Sequence, residues 1–181
     1  MYDLKRIQAE IESLPDFDKQ LLLQSNQENS EDRNPNVSCT GNIVQSTKKE
    51  LDNKLAAEVQ DIYYTHPIFN IPYINSIMEE LKLSKTRLMV LEQRECYTWH
   101  RDFYPRIHIP IITDDEKCFM VVQSKFDPND NGEIIRMPAN GDYYFVDTTK
   151  HHTAINGSGT VKRRLHIVGS TYEVPPKYRK P

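Results

Sequence analysis

The sequence lacks the features that mark several large protein classes. Its three cysteines, Cys39, Cys96 and Cys118, are odd in number and have no CxxC spacing, which argues against a disulfide scaffold and against a thiolate zinc site. There is no surplus of positive charge. The 23 Lys and Arg against 26 Asp and Glu leave a net charge of −3, which argues against general electrostatic binding to nucleic acid. No apolar run is long enough to span a bilayer, and the opening MYDLKRIQAEIES has no signal-peptide core. No internal repeat is visible. The expectation is a cytoplasmic protein of a reducing compartment, with neither nucleic acid nor membrane as a partner. At 181 residues the chain suits one domain able to bury a useful core.

The elements that are present fall in two groups. Leu4, Ile7, Ile11 and Leu14 recur at helical spacing up to Leu14-Pro15. Gln20–Gln24 suits a strand, and Ser25–Thr40, nearly bare of apolar residues, suits a mobile loop that is either a solvated connection or a lid over a site. Thr47 and Glu50 fit a capping box ahead of the stripe Leu51, Leu55, Val59 and Ile62, which His66-Pro67 closes. A further helix from Pro72 buries Ile74, Ile77, Met78 and Leu81. Both stripes are core-packing faces. From Arg87 onward strands are expected over Arg87–Gln93, Arg106–Ile112, Lys117–Ser124, Glu133–Met137, Tyr143–Asp147, His152–Asn156 and Arg163–Ser170, with turn-rich runs between them. Helices first and strands after make an α+β protein with a mainly β core, a sandwich or a barrel. Residues 1–86 form the flanking helical and loop region, 87–172 the β core, and 173–181 a tail.

The candidate chemistry sits in YTWHRDFYPRIHIPI, Tyr97 to Ile111. His100 and Asp102 are two residues apart, as are Arg106 and His108; on a strand each pair projects to one side. A His-x-Asp pair arises readily by chance, but His152 and then Arg164 follow on later strands. Two imidazoles and a carboxylate on three corners of an octahedron leave positions open, as in non-haem Fe(II) oxygenases. The same ligands suit zinc hydrolysis. The arginines favour iron, because a guanidinium grips a dicarboxylate cosubstrate with two parallel hydrogen bonds. Arg106, His108 and Pro110 share one strand face with isoleucines on the other, and Arg164 and His166 repeat that pattern. Taken alone this is an ordinary half-solvated strand. The alternative is a barrel whose apolar outside lies under the N-terminal helices and whose polar inside holds a ligand.

Three segments in order, HRDFYPRIHIPI, GDYYFVDTTKHHTAIN and RRLHIV, make the run from Arg87 to Tyr172 resemble the aspartyl/asparaginyl β-hydroxylase family of Fe(II)/2-oxoglutarate-dependent oxygenases, in its small phage and bacterial form. The resemblance implies a double-stranded β-helix (jelly-roll, cupin-like) and dependence on Fe(II), 2-oxoglutarate and O2. It makes His100, Asp102 and His152 the metal ligands and catalytic centre. His152 is preferred to His151 because it lies four residues before Asn156. Arg106 and His108 match a cosubstrate-contacting pair, Arg164 matches the arginine for the distal carboxylate, and His166 is its near neighbour. Arg163 is expected in solvent. A polar residue that assists the distal carboxylate in some relatives falls near Met89 here. His66 is read as a helix-end residue without function, and Tyr97 and Trp99 as core or pocket lining.

The implied activity is hydroxylation of an amino-acid residue, of the Asp/Asn or Pro type, in a peptide or protein, with succinate and CO2 as coproducts. Two alternatives stand beside it. One is the same chemistry on a free amino acid such as proline. The other is a metal-binding cupin-like domain, isomerase or hydrolase that uses the same ligands without oxygen.

Overall fold

The computed structural model describes residues 1–25, 60–124 and 129–179. Most of the expected loop Ser25–Thr40 and the body of the expected helix Thr47–Ile62 lie outside them. Within the described residues the chain runs α1 (Leu4–Glu12), β1 (Gln20–Leu22), β2 (Gln24–Ser25), a 3-10 turn (Gln60–Tyr63), β3 (His66–Pro67), α2 (Pro72–Glu80) and β4 (Ser84–Glu92). Then follow β5 (Glu95–Cys96), β6 (Arg106–Ile112), β7 (Cys118–Gln123), β8 (Glu133–Arg136), β9 (Tyr144–Val146), β10 (His151–Asn156) and β11 (Arg163–Ser170). The expected strands are therefore present, with ends shifted by up to three residues. The short β3 and β5 were not expected, and His66 pairs with Ser25 in a strand rather than ending a helix. No described helix is long and apolar enough to cross a membrane.

Two antiparallel sheets make the double-stranded β-helix. One has five strands in the order β1-β4-β11-β6-β9, the other four in the order β5-β10-β7-β8. The alternation in β6 and β11 decides which side residues face. Ile107, Ile109, Ile111, Leu165 and Ile167 pack with Ile7 of α1 and with Ile74, Ile77 and Met78 of α2. The apolar face thus points outward but is roofed by both helices. Arg106, His108, Arg164 and His166, on the other face, are 1–7% exposed, so they enter the space between the sheets. The half-solvated strand is excluded. A second apolar cluster of Leu91, Met120, Val122, Met137, Val146 and Ala154 fills part of that interior.

The helical roof is fixed by specific polar contacts. Asp3 caps α1, its Oδ1 accepting from the backbone N–H of Lys5 and Arg6 at 3.0 and 3.2 Å. Helix α2 has Pro72 in its first turn and an apolar N-cap, Ile71, which leaves its first amides without a local acceptor. Glu10 of α1 supplies one, accepting from the N–H groups of Tyr73 and Ile74 at 2.8 Å each. A carboxylate there also complements the helix dipole. Below the roof, Gly141 has φ +84°, and a Cβ on it would lie 2.3 Å from the Tyr2 carbonyl oxygen. That approach allows the Tyr2 N–H to donate to Gly141 O at 2.6 Å, tying the N-terminus to the turn before β9.

Candidate metal centre

His100, Asp102 and His152 come together. One ligand atom from each lies within 4.8 Å of the others. His100 Nε2 and His152 Nε2 are each 3.9 Å from an oxygen of Asp102, Oδ1 and Oδ2 respectively. The two imidazole centroids are 4.3 Å apart. The means of bringing them together differs from a shared strand face. His100 makes one isolated bridge to His152, and the chain from Arg101 to Pro105 is a loop. Backbone bonds pin this loop to the region of β10: His100 N–H to His152 O at 3.1 Å, His152 N–H to His100 O at 2.9 Å, and Asp102 N–H to Thr148 O at 2.8 Å. The Thr153 hydroxyl adds a bond to Tyr97 O at 2.6 Å.

Each prospective ligand is also oriented from behind. His100 Nδ1 lies 2.7 Å from Thr98 O, and His152 Nδ1 lies 3.0 Å from Lys150 O. A carbonyl only accepts, so each Nδ1 carries the proton and each Nε2 keeps its lone pair for a cation. Arg106 Nε donates to Asp102 Oδ2 at 2.8 Å. Burial alone would raise the Asp102 carboxyl, but Arg106, His152 and His100 hold it well below the usual carboxylate range. It is an anion at any ordinary pH. Burial is also the main cause that lowers His152, keeping it neutral, as a metal ligand must be.

Arg106 is more heavily engaged than its sequence position suggested. Besides Asp102, its Nη1 donates to Asp61 Oδ2 at 3.2 Å and to the Ser170 hydroxyl. Asp61, in the 3-10 turn, also accepts from Lys85 and, at 3.1 Å, from Ser170 Oγ. No sequence pattern pointed to Asp61, Lys85 or Ser170.

Further inside lies a group of polar side chains without matching partners. Neither ring nitrogen of His108 has a hydrogen-bond partner among the described residues, and neither Arg164 Nε nor His166 Nε2 has one. Arg164 Nη2 meets His166 Nδ1 at 3.4 Å. No described carboxylate pairs with Arg164. The groups that favour its charge are the thiol of Cys118 and the phenol of Tyr97, both weak acids, and burial lowers it from 12.5 to about 10. His108 is lowered to about 3 by burial and then by the Arg164 charge. His166 is pushed well below its ordinary value by the same two causes in the same order. Arg164 is thus a buried cation flanked by two neutral imidazoles, with orphaned polar atoms whose natural complement is an anion.

Arg163 is exposed, its Nη2 donating to the Phe17 and Asp18 carbonyls at 3.2 and 2.6 Å. Met89 is the strand neighbour of His166 and offers no hydrogen-bond donor to an anion. Trp99 and Phe103, either side of the His100–Asp102 pair, are 40% and 45% exposed, so Trp99 is not core.

No protein-family model and no curated protein matches the sequence. Among solved structures, a 2OG-Fe(II) oxygenase family oxidoreductase from Burkholderia pseudomallei is 12% identical over 92% of this chain and 76% of its own, with a TM-score of 0.48. HygX from Streptomyces hygroscopicus, solved with nickel, 2-oxoglutarate and hygromycin B, is 12% identical over 93% of this chain and 78% of its own, with a TM-score of 0.44. A cupin superfamily protein from Desulfitobacterium hafniense is 12% identical over 49% of this chain and 67% of its own, with a TM-score of 0.35. For one other partial match, this chain spans as little as 37% of the matched chain. At these identities the chemistry rests on the site's own residues.

Proposed function

We propose that this chain is an Fe(II)/2-oxoglutarate-dependent oxygenase that hydroxylates an amino-acid residue of the Asp/Asn or Pro type in a peptide or protein, releasing succinate and CO2. The observation that carries the reading is the buried Arg164, without a described counter-charge, in the interior shared with a two-histidine, one-carboxylate triad. The donor set fits the metal. Imidazole nitrogen with carboxylate oxygen suits Fe(II) and its neighbours, and three ligands leave room for a chelating cosubstrate. The orphaned donors fit a dicarboxylate.

In this reading His100, Asp102 and His152 hold the metal. Arg164 receives the distal carboxylate of 2-oxoglutarate. His108 and His166 are neutral and present polar nitrogens without adding charge. Arg106 keeps one oxygen of Asp102 occupied and so directs the other outward. The metal, when bound with 2-oxoglutarate and O2, supplies oxidative decarboxylation of the cosubstrate and insertion of one oxygen atom into substrate. The chain's own share is to orient both reactants and to exclude water from the interior. Trp99 and Phe103 would meet the substrate at the mouth.

The test is succinate release with Fe(II) and 2-oxoglutarate, run against peptides containing Asp, Asn and Pro and against the free amino acids, with mass spectrometry for one added oxygen. Oxygen addition to a peptide supports the proposal. Addition to a free amino acid alone moves the substrate assignment to the small-molecule form of the same chemistry. No succinate with any of them, from protein that binds metal, overturns it.

A further inference from the structure

A chain of charged side chains leads inward from Asp102 of the triad, which is itself 17% exposed. Lys85 meets Asp61 Oδ1, Arg106 Nη1 meets Asp61 Oδ2 at 3.2 Å, and Arg106 Nε meets Asp102 Oδ2 at 2.8 Å. The side chains of Asp61, Lys85 and Arg106 are 1–5% exposed. Two cations and two carboxylates balance, so the group is neutral before any metal arrives. Burying four charges is not an efficient route to stability, because desolvation offsets most of the attraction. A structural role alone explains it poorly.

The backbone is distorted to build this chain. Lys85 has φ +47° although it is not glycine, a conformation that costs energy and persists only where its surroundings impose it. The register of β4 against β11 shifts there. Val168 pairs with Arg87 but Ser170 pairs with Ser84, so β4 carries one residue more than β11 across that interval. Such bulges re-aim side chains. This one sets the Lys85 ammonium against Asp61, and Ser170, at the end of the same interval, donates to Asp61 as well. Three groups from β4, β11 and β6 therefore converge on one carboxylate in the 3-10 turn.

We propose that Asp61 is a positioning residue for the metal centre, an inference that rests on the metal reading above. Its carboxylate holds Nη1 of Arg106 at 3.2 Å while Nε donates to Asp102 at 2.8 Å. Without that hold the guanidinium turns to take both Asp102 oxygens in the two-point geometry that it prefers. Asp102 would then face its arginine rather than a cation between His100 and His152. Removing the Asp61 charge also leaves two cations to share one carboxylate, which repels a further dication.

The experiment uses the full chain freed of metal, with Mn(II) affinity read by calorimetry and carboxylate ligation read from the visible spectrum of bound Co(II). Asp61→Asn is made with Lys85→Met, so that net charge is unchanged, and also alone as a second variant. Ile77→Ala, in α2 on the far side of the five-stranded sheet, is the control for lost stability. Loss of an outer partner weakens metal affinity by roughly 10–100-fold, and that loss with an altered Co(II) spectrum is expected in both Asp61 variants. Ile77→Ala should keep wild-type affinity and spectrum. Wild-type affinity and spectrum in the Asp61 variants overturn this role and leave the metal centre standing. A wild-type protein that binds neither ion overturns both.

Discussion

Replacing Arg164 by methionine separates a binding residue from a structural one. Arg164 is 5% exposed, its guanidinium has no described carboxylate within pairing distance, and burial lowers it from 12.5 to about 10. At 1.36 kcal/mol per decade, that fall means about 3 kcal/mol against holding the charge there. Methionine keeps most of the aliphatic stem and removes the charge, and apolar replacements of buried ionic groups are neutral or stabilising by about 1–4 kcal/mol. Arg164→Met should therefore raise the melting temperature of the ligand-free protein, by roughly 2–4 °C for each kcal/mol in a chain of this size. The same change should abolish the anion site. A desolvated charge partner is worth about 2–5 kcal/mol, so 2-oxoglutarate affinity should fall by at least about 30-fold. Thermal denaturation of the ligand-free protein and calorimetry of 2-oxoglutarate with Mn(II) present give the two numbers. A less stable variant with unchanged 2-oxoglutarate affinity would show Arg164 to be a structural residue and would refute the argument.

Other expectations are simpler. His100→Ala removes a ligand rather than its support, so Ni(II) affinity should fall by more than the roughly 10–100-fold typical of an outer partner; calorimetry showing near wild-type affinity would remove His100 from the metal. Acid should destabilise the metal-free protein well before the carboxylates titrate. His108 is lowered to about 3 in the fold, so below its unfolded value of 6.5 the unfolded chain binds more protons and stability falls as pH drops. His108 alone should cost about 2 kcal/mol at pH 5 relative to pH 8, and equal urea midpoints at those two pH values would contradict a neutral, buried His108. Ile77→Ala empties a fully enclosed position under the outer sheet face and should cost about 2–5 kcal/mol in urea unfolding, while leaving Mn(II) affinity unchanged.

The repeated patterns of the sequence carried the β core, because strand periodicity and turn residues are local signals. The Arg106–Ile112 alternation was legible as two faces, but not which of them is inside. That depends on α1 and α2 covering the isoleucines, and a tertiary contact leaves no trace in strand spacing. His100 and Asp102 were legible as a pair, yet the strand geometry that first suggested it is not how they meet. A loop pinned to β10 brings them round, through backbone bonds that any sequence can make. Asp61 was invisible for a plainer reason. It is one acidic residue in a single turn, 45 residues from Arg106, and no spacing links the two. Lys85 was hidden in the same way, since a bulge with positive φ at a lysine has no compositional signature. Glu10 is another such case: the helix was legible only by its apolar stripe, and nothing in that stripe shows that Glu10 caps α2.

The central claim is that the triad and Arg164 together bind a metal and 2-oxoglutarate. Anaerobic protein loaded with Fe(II) tests it directly. Adding 2-oxoglutarate should produce a weak visible charge-transfer band in the wild type. His152→Ala should lack the band for want of a metal ligand, and Arg164→Met should need far more 2-oxoglutarate to show it. A folded, iron-loaded wild type that develops no band contradicts the account.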